Sequence, residues 1–224
     1  MFETADYDSK LWMGIKGVLE TKGYCIKDLK VRRREGHFSF PLSGPWVFIR
    51  GIDHRQCGKW ALYHQFFDFV PGHCWNKCWK VVIRVKTLAD LHSLYSIAVA
   101  LNFPGKVGIN KRSYVKGPYL GFFYSESEGE ALLQKEALAQ NLDAMNVEYD
   151  ITHKQMCTEF TASKAVPNPE LEHKCDHIFA PIEDENISAA WLKSAVMWEW
   201  NNFANAIGDP TAFDRTVKSE PKES

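Results

Sequence analysis

From Trp79 to Cys157 the hydrophobic period switches back and forth between two residues and 3.6, and this limits the fold more than any other feature. Trp79, Val81, Ile83 and Val85 alternate with Lys80, Arg84 and Lys86, the mark of a half-buried strand. From Thr87 to Leu101 the period becomes helical. Thr87 can cap, Asp90 falls in the first turn, and Leu88, Leu91, Leu94, Tyr95, Ala98 and Leu101 share a side. Pro104-Gly105 ends that helix. Lys106 to Arg112 alternates again, with Val107 and Ile109 inward, and the turn Lys116-Gly117-Pro118 leads into an aromatic strand from Tyr119 to Ser125. Glu126 to Met145 forms a second helix, with Leu132, Leu133, Leu138 and Leu142 as its apolar stripe. Val147 to Ile151 makes a fourth strand.

The order β-α-β-β-α-β predicts an α+β fold with a ferredoxin-like core, strand order 4-1-3-2, both helices on one face. Residues 74–160 form this core. Residues 1–73 are an N-terminal helix (Ser9 to Lys22) plus a β-rich, aromatic-rich embellishment with a strand pair over Phe38 to Phe48. Residues 161–215 are a linker and a C-terminal helix packed on the core through Ala190, Trp191, Ala195, Trp198, Asn202 and Ala206. Residues 216–224 are a disordered tail.

The topology sets neighbours. If the first and fourth strands are antiparallel, the start of one lies beside the end of the other. Cys74 and Cys78, just before the first strand, then meet Cys157, just after the fourth. Cys74 and Cys78 are one helical turn apart and point the same way. Thiolates bind soft metals, and four of them close a structural zinc site. Cys57 is the expected fourth ligand, ahead of His73, His54, Cys175 and Glu159. An iron–sulfur cluster is the alternative cofactor. Six cysteines in a chain with an acidic opening and no apolar stretch of membrane length are expected to be thiols or ligands in a cytoplasmic protein, with no membrane partner.

A net charge of −1 conceals an asymmetry. Residues 1–124 hold 19 Lys and Arg against 9 Asp and Glu, whereas residues 125–224 hold 8 against 19. A basic first half is the footprint expected of nucleic-acid binding, with the single-stranded form as the expected ligand, and the phosphate contacts fall on Arg32, Arg33, Arg34, Lys80, Arg84, Lys86, Lys111 and Arg112. The sheet face opposite the helices would carry Lys80, Arg84 and Lys86, with Lys106, Asn110 and Arg112. To these the third strand adds either Tyr119 and Phe123 or Phe122 and Tyr124. Stacking on bases is assigned to Tyr119 and Phe123. The stretch Lys116 to Tyr124 is loosely similar to the K/R-G-F/Y-G/A-F-V-x-F/Y signature of RNA-recognition motifs, which implies bases stacked on the sheet. It departs from that signature by extra residues between its first two glycines, and Val82 stands where the first strand would need an aromatic. The likeness is one of fold and carries no membership.

Two other classes compete. A protein-interaction or regulatory module would dock a partner through the acidic half and through Trp191 and Trp198. A metal-dependent enzyme would keep an open ligand position at the cysteine pole. No phosphate loop, Gly-x-Ser-x-Gly or His-Glu-x-x-His motif occurs, so the reading leans away from an enzyme.

Overall fold

The computed structural model describes residues 24–27, 30–33, 46–50, 60–61, 63–65, 67–111, 115–162, 164–178 and 190–213. The expected Ser9 to Lys22 helix, the 216–224 tail and most of the Phe38 to Phe48 strand pair lie outside them. By internal contacts the chain divides into two compact units, Met1–Leu42 with Ile52–Cys78 and Gln155–Glu185, and Ser43–Gly51 with Trp79–Lys154 and Asn186–Ser224. Residues after the fourth strand of the expected core group here with residues before its first.

The first unit holds the hairpin β1 (Tyr24–Lys27) and β2 (Lys30–Arg33) and the helix α1 (Gly72–Asn76). It also holds α4 (Thr158–Thr161) and α5 (Pro169–Ile178), numbered after the α2 and α3 of the second unit. Among the described residues its core cluster is Trp60, Tyr63, Phe69, Val70, Cys74, Phe160 and Cys175. The Val70 N–H donates to the Val166 carbonyl at 3.2 Å, and the Met156 N–H donates to the Cys78 carbonyl at 2.8 Å.

The second unit is an open antiparallel sheet of five strands with helices on one face. Its strands are β3 (Trp46–Arg50), β4 (Trp79–Val85), β5 (Gly105–Ile109), β6 (Tyr119–Ser125) and β7 (Tyr149–Gln155), in the order β3-β5-β6-β4-β7. Alternation along β4 sends Val81, Ile83 and Val85 into the helix-facing core and Val82 to the other side. The helices are α2 (Leu88–Leu101), α3 (Glu128–Ala144) and α6 (Ala190–Ala206). Thr87 and Asp90 close a reciprocal capping box at the start of α2, and Asn102, left-handed at φ 52°, ends it two residues before Pro104.

Glycine decides how closely α2 and the strands approach. A Cβ on Gly121 would lie 3.0 Å from Leu94 Cδ2, so the bare backbone there lets α2 settle on β6. At Gly105 the constraint is harder. A Cβ would stand 2.6 Å from the Phe122 carbonyl oxygen and 2.8 Å from Phe123 Cδ1. That oxygen belongs to the paired backbone of β6 and cannot move alone. Gly105→Ala is expected to cost about 1–3 kcal/mol, read as a lower urea midpoint. A midpoint equal to wild type would mean that the β5 edge yields.

Two helical stripes differ from expectation. On α3, Ala131, Leu138 and Leu142 are buried, whereas Leu132 and Leu133 are 45% and 69% exposed. The helix lies on the side carrying Ala131, a small residue that lets it come close to the sheet. On α6 the buried side is Val196, Trp200 and Ala204, and Trp198 is 49% exposed. Trp198 and Trp200 are two positions apart, which places them on different sides of a helix.

Candidate nucleic-acid interface

The sheet face away from the helices is built by strand parity. Cross-strand register puts Phe48, Lys106, Phe122 and Val82 in one row, and Trp46, Gly108, Leu120 and Arg84 in the next. Trp46, Val82 and Leu120 form a small buried cluster, with Val115 and Phe122 packed against it. The Lys106 ammonium lies 4.7 Å from the Trp46 ring centre and 5.6 Å from that of Phe122. The two rings are 5.5 Å apart and tilted at 57°. A cation held between two aromatic faces gains from both ring quadrupoles and stays near the surface. Phe48 beside it is 47% exposed.

Two donors on this face lack acceptors. Trp46 Nε1 and Arg84 Nε are buried without a hydrogen-bond partner. Leaving such a group unpaired costs about 1–3 kcal/mol. They sit in the same ladder row, on β3 and β4.

Several expected contacts are placed elsewhere. Tyr119 and Phe123 are 1% and 0% exposed in the helix-facing core, so neither ring can stack on a base. The Tyr119 hydroxyl donates to Asp209 at 2.6 Å, which fixes the parity of β6 and turns Phe122 and Tyr124 to the other face. Lys80 does lie on the helix-free face but is only 4% exposed, so it does not present its ammonium to solvent. Lys86 is exposed and ion-paired with Glu148. Lys111 is exposed with its ammonium 5.8 Å from the Phe203 ring centre, beside α6 rather than on the helix-free face. Arg84 keeps its expected position, half-buried on that face. Arg32 and Arg33 lie on β2, opposite Cys25 and Tyr24, in the other unit. Arg34, Arg112 and Cys57 lie outside the described residues.

The Cys78 carbonyl accepts from Met156, and so Cys157 follows directly beside it. Cys74, Cys78, Cys157 and Cys175 are thiols and not disulfides. Among the described residues no three His, Cys, Asp or Glu side chains stand close enough together to hold a metal ion.

Comparison with known protein families, with curated proteins and with solved structures finds no significant match. Among the described residues no helix is long and apolar enough to cross a membrane.

The aromatic pair that could meet a ligand, Phe48 and Phe122, was not singled out by the sequence. Phe122 stood as one of two parities, and Phe48 lies in the middle of a strand, Trp46 to Arg50, whose pairing with β5 has no local signal. Strand parity along Trp46–Arg50, with Trp46 and Phe48 on one side and Val47 on the other, places the Trp46 and Phe48 rings on the side of Lys106.

Proposed function

We propose that the chain binds single-stranded nucleic acid across the helix-free face of its sheet, with Phe48 stacking on a base, Phe122 at the edge of the stack, and Lys106 and Arg84 contacting phosphates. The observation that carries this is the row Phe48–Lys106–Phe122, in which an exposed ring, a cation and a second ring follow one another across adjacent strands. Stacking is tolerant of sequence because every base has a π-face, and a cation beside it supplies the phosphate contact. The order of β4, β5, β6 and β7 in the sheet, β7-β4-β6-β5, supports a ferredoxin-like core to which β3 adds an edge strand beside β5. This reading keeps the chain in a cytoplasmic setting, where its thiols stay reduced.

The test is fluorescence anisotropy of a short labelled oligothymidylate and oligouridylate at several salt concentrations. Affinity should fall steeply with salt, because phosphate contacts release counterions, and Lys106→Gln should flatten the log–log slope by about 0.7, the share of one phosphate on a single strand. Phe48→Ala should weaken binding by about 1–3 kcal/mol without changing that slope. No binding at low salt would sink the reading.

A second reading is docking of a protein partner, favoured by the exposure of Trp198 and of Phe213, whose backbone is held by Asn201 and Asn205. Partner capture that survives high salt and is lost in Trp198→Ala would support it instead.

A further inference from the structure

We propose that the outer edge of β7 pairs with β7 of a second copy of this chain, antiparallel and centred on Thr152, joining two five-stranded sheets into one. Among the described residues β7 has one strand neighbour, β4. The other side of an edge strand presents backbone N–H and C=O groups, a template for a further strand. The register of β7 on β4 decides which residues present them. Lys86 is ion-paired with Glu148 at one end, and the Met156 N–H donates to the Cys78 carbonyl at the other. The spans 78–86 and 148–156 are equal, so no bulge intervenes. In an antiparallel ladder every second residue bonds to the same neighbour. Asp150, Thr152 and Lys154 therefore turn their backbone groups to β4, as Met156 does, and Ile151 and His153 turn theirs outward.

The strand is self-complementary about Thr152. A two-fold axis there sets Ile151 opposite His153 of the second copy, and these are the residues whose backbone groups point outward. It sets Thr152 opposite Thr152 and Asp150 opposite Lys154. The pleat puts Asp150, Thr152 and Lys154 on the helix-free side. Asp150 and Thr152 are exposed and Lys154 is half-buried. A lysine on an edge strand ordinarily discourages pairing. In this register the symmetry gives each Lys154 a carboxylate, and no like charges oppose each other. The helix side adds apolar area. Ile151 is a partly buried residue packed on the core. Above it, Leu132 is 45% exposed on the side of α3 that borders β7. That side is fixed by Glu128, one turn earlier and 3.4 Å from His153, and by Asp143, three turns later, which accepts from the Tyr149 hydroxyl at 2.9 Å.

The row Phe48–Lys106–Phe122 lies on β3, β5 and β6, away from this edge, and the inference does not rest on nucleic-acid binding. The experiment is sedimentation velocity on the full chain over a range of concentrations. Wild type should pass from one to two chains per particle as concentration rises. Asp150→Lys and Lys154→Asp should each raise the dissociation constant by about tenfold or more, because the two-fold axis repeats every like-charge contact. Mixed in equal amounts, the two variants should dimerise again: one presents two cations on the strand and the other two carboxylates. Mixing would not cure a folding defect. A wild type that stays a single chain at every concentration, single variants that associate as wild type does, or a mixture that stays dissociated would overturn the proposal.

Discussion

Trp200→Ala is expected to lower the stability of the sheet-bearing unit by about 3–5 kcal/mol. Trp200 is fully buried on α6 and belongs to the core formed with α2 and the strands. Its ring centre lies 5.6 Å from that of His92 and 6.3 Å from that of Tyr95, both on α2. Partial burial lowers the His92 pKa. Removing the indole leaves a cavity bounded by two helices and a sheet, and such walls relax only in part. Trp198→Ala, two residues away and half exposed, is expected to change stability by less than about 0.5 kcal/mol. Urea denaturation of both variants decides the matter. Equal midpoints would mean that α6 is not fastened to the core through Trp200.

Asp209→Ala is expected to cost about 2–4 kcal/mol, because one carboxylate serves three partners. Its Oδ2 accepts from the Tyr119 hydroxyl at 2.6 Å and from the Leu88 N–H at 2.7 Å, and its Oδ1 accepts from the Thr211 hydroxyl at 2.7 Å. The segment after α6 is thereby tied to β6 and to the first turn of α2, where a negative charge also meets the positive end of the helix dipole. The deletion would strand the Tyr119 hydroxyl in the core. Adding Tyr119→Phe to Asp209→Ala should recover part of the loss, since removing both partners costs less than orphaning one.

The same carboxylate predicts a pH dependence. Burial pushes its pKa up, but the hydrogen bonds from Tyr119, Thr211 and Leu88 outweigh burial and hold it below the ordinary carboxylate value. A depressed pKa contributes stability that is fully present above the unfolded carboxylate pKa of about 3.9 and is lost as pH falls through the folded value. Tyr119 shows the opposite face of the bond: burial and then the Asp209 acceptor raise its pKa, so it remains protonated throughout this range. In Asp209→Asn the acid limb of the stability curve should be shallower than in wild type. Parallel acid limbs would show that Asp209 does not couple folding to protons.

What could be seen in advance divides along physical lines. The capping box at Thr87 and Asp90 and the inward side of Leu88, Leu91, Leu94 and Ala98 follow from spacing alone, because α2 is long and strongly periodic. The stop after α6 at Gly208 is likewise local, a left-handed glycine at φ 73°. On α3 the expected stripe took every leucine as inward, whereas Ala131 shares the buried side with Leu138 and Leu142 and leaves Leu132 and Leu133 outside. The stacking residues were misjudged for a related reason. Tyr119, Gly121 and Phe123 alternate with Leu120, Phe122 and Tyr124, and both sets are apolar, so β6 has no amphipathic signal.

Spacing is enough to give the local elements between Trp79 and Gln155 and their alternation between two periods, since these depend on neighbours along the chain. Contacts across the fold set which side of β6 faces the helices, that β3 extends the sheet beside β5, and that α5 is bonded to the start of α1. Each of those rests on a bond or packing contact between residues far apart in the chain: Tyr119 with Asp209, Val47 with Val107, Gly72 with Glu172. No local period records such a contact, because its free energy appears only once both partners are in place.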